Sequence, residues 1–335
     1  MNMEPEPGEF ELIRRFFLKP AAAGRDNGVI LGIGDDAALL EVPQGTDLVA
    51  SVDTIVAGRH FLQGADARAI GHRALAVNLS DMAAMGATPA WATLALTIPN
   101  ADSSWLEEFA AGFLALADAH AVSLVGGDMT RGPLTISVQI LGHAPHGTSL
   151  RRSGAKAGDL LAVSGTLGDA AAGLAFLKEP PAMPSAAVDA LVQRFAYPSP
   201  RVQLGISARG IATAAMDLSD GLIGDLPKLA QASGLAAHVS VDRLPISKSL
   251  RAAVDLRQAR DWALAGGDDY ELLLAVPPNR LAGMTAAADQ LNLTLTPIGE
   301  LRAGVGVTWS LNGEDFVPGV AGYDHFAQAS TQITV

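Results

Sequence analysis

Short runs of Val, Ile and Leu alternate along this chain with longer Ala-rich stretches of helical spacing. VILGI at 29–33, LVASVDTIV at 48–56, WATLALTIP at 91–99, LLAVS at 160–164 and ELLLAV at 271–276 have strand length and composition. Between them lie ADARAIGHRALAVNLSDMAAMG, predicted to be a long amphipathic helix, and SSWLEEFAAGFLALADAHA, a helix with Ser103 or Ser104 as its cap. Such alternation implies an α/β or mixed α+β architecture. With 335 residues, about half of them apolar, the chain can bury two cores. Hydrophilic RRSGAKAGD at 151–159 marks the expected boundary, giving domains at 1–150 and 151–335.

Composition removes several functions. No cysteine is present, which excludes disulfides, thiolate catalysis and thiolate metal sites. A formal charge of −12 disfavours a nucleic-acid partner. The acidic start MNMEPEPGEFEL has neither a basic nor an apolar leader region, so a cytoplasmic location is expected. Residues 82–101 lack formal charge, but Gly86, Pro89 and Pro99 interrupt them, so they read as helix end, turn and strand rather than a membrane span.

Six segments place aspartate at an expected turn or element end: GIGDD (32–36), SVDT (51–54), NLSD (78–81), VGGD (125–128), DLSDG (217–221) and AGGDD (265–269). Each alone is an ordinary turn or cap signal. DLSDG, however, is embedded between AAM and LIGDL, where ionised carboxylates require compensation. Aspartate oxygens suit Mg2+, which takes one or two carboxylates with water and phosphate oxygens. A polyphosphate substrate carried by several Mg2+ ions meets both demands. Asp225, just inside the following helix, is expected to cap it or to face solvent. No Walker A loop, kinase motif set, complete dinucleotide fingerprint, HExxH site or Ser/His/Asp spacing occurs. Phosphate charge would then fall to metals and to scattered cations such as Arg131, Arg151, Arg152 and Lys156.

Taken in order, GEFELI, LGIGDDAALL, SVDTIVAGRHF, ALAVNLSDMAAMGATPAWATLALTIP, GGDMTRGP, RSGAKAGD, MDLSDGLIGDL, GGDDYELLL and GYDHF resemble the bacterial thiamine-monophosphate kinases, from Gly8 to Phe326. NLSDMAAMGA and DLSDG are shared with the wider superfamily of aminoimidazole ribonucleotide synthetase. The resemblance implies a two-domain α/β fold whose N-terminal strands help form a barrel across a homodimer. It also implies ATP-dependent phosphorylation of thiamine monophosphate to thiamine diphosphate by direct transfer with several Mg2+ ions. By the same resemblance Asp36, Ser51, Val52, Asp53, Asp81, Asp128, Asp217 and Asp220 match metal positions, Val52 through its backbone carbonyl. Gly127, Asp128, Arg152 and Ser219 match nucleotide positions, and His60 and Asp268 match positions that meet the thiamine substrate. No side chain is assigned as a general acid or base.

Three positions depart from the family pattern. Val52 replaces a common hydroxyl residue, Asp268 a glutamate, and Val320 an aromatic whose stacking Tyr323 or Trp309 would have to supply. Two other readings compete: another ATP-using superfamily member, and a module that senses Mg2+ or nucleotide without turnover.

Overall fold

The computed structural model describes residues 8–18, 27–183 and 185–322. They fall into two compact units, the chain up to Leu79 with Thr88–Gly147, and Ser80–Ala87 with the chain from Thr148 on.

The first unit contains α1 (Glu9–Phe16), β1 (Val29–Leu31), β2 (Leu39–Leu40), β3 (Thr46–Val56), α2 (Ala67–Ala84), β4 (Thr88–Ile98), α3 (Ser103–Ala119), β5 (Ser123–Arg131) and β6 (Thr135–Pro145). The last turn of α2 belongs to the second unit. Strands β3-β6-β4-β5 form one sheet, antiparallel except for the parallel β4–β5 pair. One face carries Val49, Ile55, Leu94, Leu96, Ile136 and Val138, all buried. The other leaves Leu48 and Val52 exposed, Val52 by 63%.

Helix α2 is not amphipathic as expected. Its residues are buried almost all round, from Ile70 through Ala84, and only Arg68 is exposed. Small side chains explain how this is possible. A Cβ on Gly71 would run into the Phe109 carbonyl of α3, and a Cβ on Gly112 into the Arg68 carbonyl of α2. The two backbones therefore touch through reciprocal glycines. Beside this crossing, Trp105, Phe109 and Phe113 stack along α3, and Phe17 meets Phe109 edge-on at 6.4 Å. Asp102, not a serine, caps α3. Its carboxylate accepts the Ser104 hydroxyl, which does most to lower its pKa, and the N–H groups of Trp105 and Ser104, which lower it further.

The second unit continues with β7 (Leu160–Ser164), α4 (Asp169–Lys178), α5 (Ala186–Ala196), α6 (Val202–Ala208), β8 (Ala214–Leu218), α7 (Leu222–Ala232) and β9 (Ala236–Ser240). It ends with α8 (Lys248–Ala253), α9 (Leu256–Ala265), β10 (Glu271–Val276), α10 (Leu281–Gln290), β11 (Leu295–Arg302), β12 (Val307–Leu311) and β13 (Glu314–Phe316). Its sheet runs β13-β12-β9-β11-β7-β10-β8, with β9–β12 the parallel pair. Strands β8 and β10 are buried along their whole lengths. Their near-continuous apolar sequence follows, because a strand covered on both faces has no polar side to alternate with.

Not every aspartate marks an element end. Asp53 lies inside β3, Asp128 inside β5 and Asp81 inside α2. Among the described residues no helix is long and apolar enough to cross a membrane.

The glycine crossing predicts opposite effects at two helical glycines. Helix propensity favours alanine over glycine by about 1 kcal/mol. Gly283 in α10 has open space where a Cβ would go, so Gly283→Ala should stabilise by about 0.5–1 kcal/mol. Gly112→Ala should instead destabilise by about 1–3 kcal/mol, because a backbone carbonyl must move. Urea unfolding of both variants checks the contrast.

Candidate functional site

In the second unit the two acidic loops lie side by side. Strand β8 delivers Asp217 and Leu218 next to Leu272 and Glu271 of β10. Beyond the strand ends, the Asp268 N–H donates to the Ser219 carbonyl and the Tyr270 N–H to the Leu218 carbonyl, both at 2.9 Å. Glycine makes this approach possible: a Cβ on Gly221 would strike Ala265 and Gly266, and one on Gly267 would strike the Ser219 carbonyl. Asp217, Ser219, Asp220 and Asp268 are thus gathered within one unit. Asp81 follows Ser80, whose hydroxyl donates to Asp217 Oδ2 at 2.8 Å.

What shapes the DLSDG loop is Asp225. Rather than facing solvent it is 1% exposed. Its Oδ2 accepts the N–H groups of Ser219 and Asp220 at 3.0 and 2.9 Å, and its Oδ1 accepts from Lys228 at 2.9 Å. It caps backwards onto the loop rather than onto the helix. Burial raises its pKa against the pull of Lys228 and the Asp220 N–H, and the nearby Asp220 charge raises it further. Lys228 also reaches Asp220 Oδ2 at 2.7 Å.

The GGDDY loop is held from below. Asp268 (φ +70°) and Tyr270 (φ +51°) both occupy the left-handed region, which non-glycine residues visit at a cost. The Tyr270 hydroxyl donates to Asp268 Oδ1 at 3.2 Å. Between them, buried Asp269 accepts the N–H groups of Gly168 and Ala170 at the start of α4. Burial pushes the Asp269 carboxyl up to about 8, although those donors and Arg194 pull it down. Glu271, fully buried, takes a bidentate Arg201 (2.5 and 2.7 Å), Arg194 (2.9 Å) and the Ser164 hydroxyl (2.6 Å). Burial works against the Arg201 charge, yet its bonds to Glu271 raise its pKa overall.

Beside β8 the Arg151 carbonyl accepts the Ala215 N–H at 2.9 Å, two residues before Asp217, and Arg152 follows it in the chain. The Arg152 carbonyl accepts the Ser233 hydroxyl, at the C-terminal end of α7, whereas DLSDG sits at the N-terminal end. Trp309 and Val320 pack against the core of the second unit. Tyr323 lies outside the described residues.

In the first unit Ser51, Asp53 and Gly127 lie on the core-facing side of the sheet, in rows such as Asp53–Val138–Leu94–Gly127. Val52 and Asp128 point to the opposite face, so any Val52 contribution comes from its backbone. Strands β3 and β5 end the sheet on opposite sides, which puts Asp53 and Asp128 about 14 Å apart. The Leu94 carbonyl leaves no room for a Cβ at Gly127. Asn78 Oδ1 accepts the Asp53 N–H at 3.2 Å. His60 folds back on the end of β3, Nδ1 accepting the Val56 N–H at 3.1 Å, which places its own proton on Nε2 in the neutral ring. Asp36 is exposed in the β1–β2 loop, its N–H bonded to Asp35. Arg131 is exposed and donates to the Pro99 carbonyl.

Among the described residues no three Asp, Glu or His side chains form a ready cation cage. The oxygen-only donors, in ones and twos, nevertheless suit Mg2+, which completes its shell with water and phosphate. Sequence reasoning missed Lys228, Asp269, Glu271, Arg194, Arg201 and Ser80. Only the Asp225–Lys228 spacing, three residues on one helix, could have been read in advance.

Comparison with known proteins identifies the family and the fold. The AIR synthase related protein models match in both halves, the N-terminal domain over residues 34–144 and the C-terminal domain over 156–310. A thiamine-monophosphate kinase of Salmonella typhimurium strain LT2 is 48% identical over 323 residues, 96% of this chain and 98% of that protein. The crystal structure of thiamine-monophosphate kinase from Stenotrophomonas maltophilia K279a superposes with a TM-score of 0.82 at 47% identity, covering 87% of this chain and 93% of that one. AaThiL complexed with AMPPCP and TMP superposes with a TM-score of 0.75 at 33% identity, covering 88% and 92%.

Two measurements test the supports of the loops. Asp225→Ala orphans two backbone N–H groups and should cost about 2–4 kcal/mol of unfolding free energy, whereas Asp220→Ala should change it by less than about 1 kcal/mol. For Asp269 the folded pKa lies above the unfolded one, so its contribution is full at low pH and is lost as pH rises through about 8. Between pH 7 and 9 the wild type should lose about 1 kcal/mol of stability that Asp269→Asn does not lose.

Proposed function

Because this chain belongs to the thiamine-monophosphate kinases of the AIR synthase related family, we propose that it phosphorylates thiamine monophosphate directly from ATP, with several Mg2+ ions as cofactors. A phosphate oxygen of thiamine monophosphate attacks the γ-phosphorus in line. The bond from that phosphorus to the β,γ-bridging oxygen breaks, the bond from the acceptor oxygen forms, and ADP departs with the electron pair. The acceptor is already an anion at neutral pH, so no side chain has to remove a proton. The barrier is repulsion between two polyanions, and catalysis is positioning and charge neutralisation.

Asp36, Ser51, Asp53 and Asp128 in the first unit, with the Val52 carbonyl, are the proposed oxygen donors to Mg2+. Asp81, Asp217 and Asp220 are those of the second unit. Bound there, Mg2+ supplies positive charge to phosphate oxygens. Gly127, Asp128, Ser219 and Arg152 are assigned to the nucleotide. At Gly127 the absence of a side chain leaves the backbone open to a close approach. His60, with its proton on Nε2, and Asp268, oriented by Tyr270, are assigned to the thiamine moiety. Asp268 is one methylene shorter than the family's usual glutamate, and its left-handed backbone sets the direction of that shorter arm.

The observation that carries this reading is the bond from the Asp268 N–H to the Ser219 carbonyl. It fixes the loop assigned to the thiamine substrate against the loop assigned to metal and nucleotide. A homodimer is also proposed. The exposed apolar face around Leu48 and Val52, and the place of β3 and β5 as end strands of the sheet among the described residues, support it.

Purified protein with ATP, Mg2+ and thiamine monophosphate should release ADP in step with thiamine diphosphate, identified by mass. Asp81→Asn should lower turnover at saturating Mg2+ by at least about tenfold. A fall within about threefold, roughly 0.7 kcal/mol, would remove Asp81 from the metal ligands.

A further inference from the structure

Lys228 stands at a position the proposed chemistry does not use, yet it touches one of that chemistry's acids. Its ammonium bridges two carboxylates, Asp220 Oδ2 at 2.7 Å and Asp225 Oδ1 at 2.9 Å. The two partners differ. Asp225 is buried, 1% exposed, and committed through its other oxygen to the Ser219 and Asp220 N–H groups. Asp220 is 30% exposed and Lys228 43%, so the contact between them can open towards water. A lysine held on a buried anchor while its tip rests on a site acid differs from an ordinary surface pair, whose two ends both drift.

We propose that Lys228 is a resident counter-cation at Asp220, which Mg2+ must displace, and that it thereby raises the Mg2+ concentration this site requires. The proposal rests on the assignment of Asp220 to a metal. An ammonium hydrogen-bonded to a carboxylate oxygen occupies the direction in which a metal would bind, and it repels a divalent ion at the other oxygen. When Mg2+ arrives, Lys228 withdraws from Asp220 and stays on Asp225, which keeps the DLSDG loop in shape during the exchange. Loop geometry and metal affinity are thereby separated: Asp225 governs the first, and the Asp220–Lys228 contact tunes the second.

Mn2+ binding to the full chain in the presence of AMPPCP, followed by the paramagnetic signal of free Mn2+, tests this without turnover. Lys228→Met should lower the half-saturating Mn2+ concentration by about three- to tenfold. Asp220→Asn should raise it, and in the double variant the gain from Lys228→Met should vanish. If Asp220→Asn weakens binding but Lys228→Met does not tighten it, the counter-cation role is overturned. If Asp220→Asn leaves Mn2+ binding unchanged, the assignment of Asp220 to metal fails and the proposal falls with it. A second measurement on the unaltered chain covers the case in which Lys228→Met does not fold. Acetylation of Lys228 by a water-soluble succinimidyl ester, referred to exposed Lys248, should rise about twofold or more when Mg2+ and AMPPCP are added. An unchanged ratio overturns the proposal.

Discussion

The carboxylate of Glu271 is the fixed point of the second unit. A lone buried carboxylate costs several kcal/mol, and here two guanidinium groups and a hydroxyl surround it. Its partners come from separate segments: Ser164 ends β7, Arg194 lies in α5, and Arg201 precedes α6. Gly165, in the left-handed region, leaves the space that the carboxylate fills. Immediately before Glu271 the chain passes through two left-handed non-glycine residues, each carrying strain of about 1–3 kcal/mol. Such strain persists only where the surroundings over-determine it. Arg194 contributes directly, donating to the Asp269 carbonyl as well as to Glu271. The direction in which Asp268 points is therefore a consequence of charge buried three residues away.

The acidic motifs were legible in the sequence as motifs but not as individual roles. DLSDG lies between a strand and a helix as read, and GGDD lies against it. Asp225 was misjudged because a carboxylate in the first turn of a helix ordinarily serves the helix or the solvent. Its environment depends on the loop folding back, which one-dimensional spacing does not reveal. Asp269 and Glu271 follow Asp268 in a run that reads as one acidic cluster. Burial divides the run, leaving Asp268 half-exposed and the other two inside. Nothing in YPSPR or in the helix before it signals that Arg194 and Arg201 converge on one carboxylate 70 or more residues later.

The two-domain α/β class was readable from alternation, and most strands lie where apolar runs put them. The errors have local causes. Asp102 outcompetes Ser103 and Ser104 because it precedes the helix by the one position from which its oxygen reaches two free N–H groups. Helix α2 reads as amphipathic when its Ala and Leu residues are assigned to one apolar face. Gly71 instead lies against the Phe109 carbonyl and the Ala83 carbonyl against Gly205, and a helix without a strong apolar stripe is buried nearly all round. Asp53 and Asp128 looked like turn residues because glycine or a hydroxyl residue neighbours them. The sheet register carries the ladder straight through both.

The acids of this chain sort by what their oxygens already hold. Asp159, Asp169, Asp225, Asp269 and Glu271 are buried, and each is engaged by backbone N–H groups, hydroxyls or cationic side chains of its own unit. Asp36, Asp128, Asp220 and Asp268 are exposed or half-exposed. Most acids proposed to meet an incoming cation or substrate are left partly open to water; Asp217, buried and accepting the Ser80 hydroxyl, departs from that division. A carboxylate that must hold a loop in a strained shape cannot be left to water. Burial enforces the division, because desolvation is tolerated only by groups with permanent partners. Lys228 spans the two classes, joining Asp225 of the first to Asp220 of the second. Its Asp220 contact is the one an arriving divalent ion would contest, while its buried anchor keeps the loop in place.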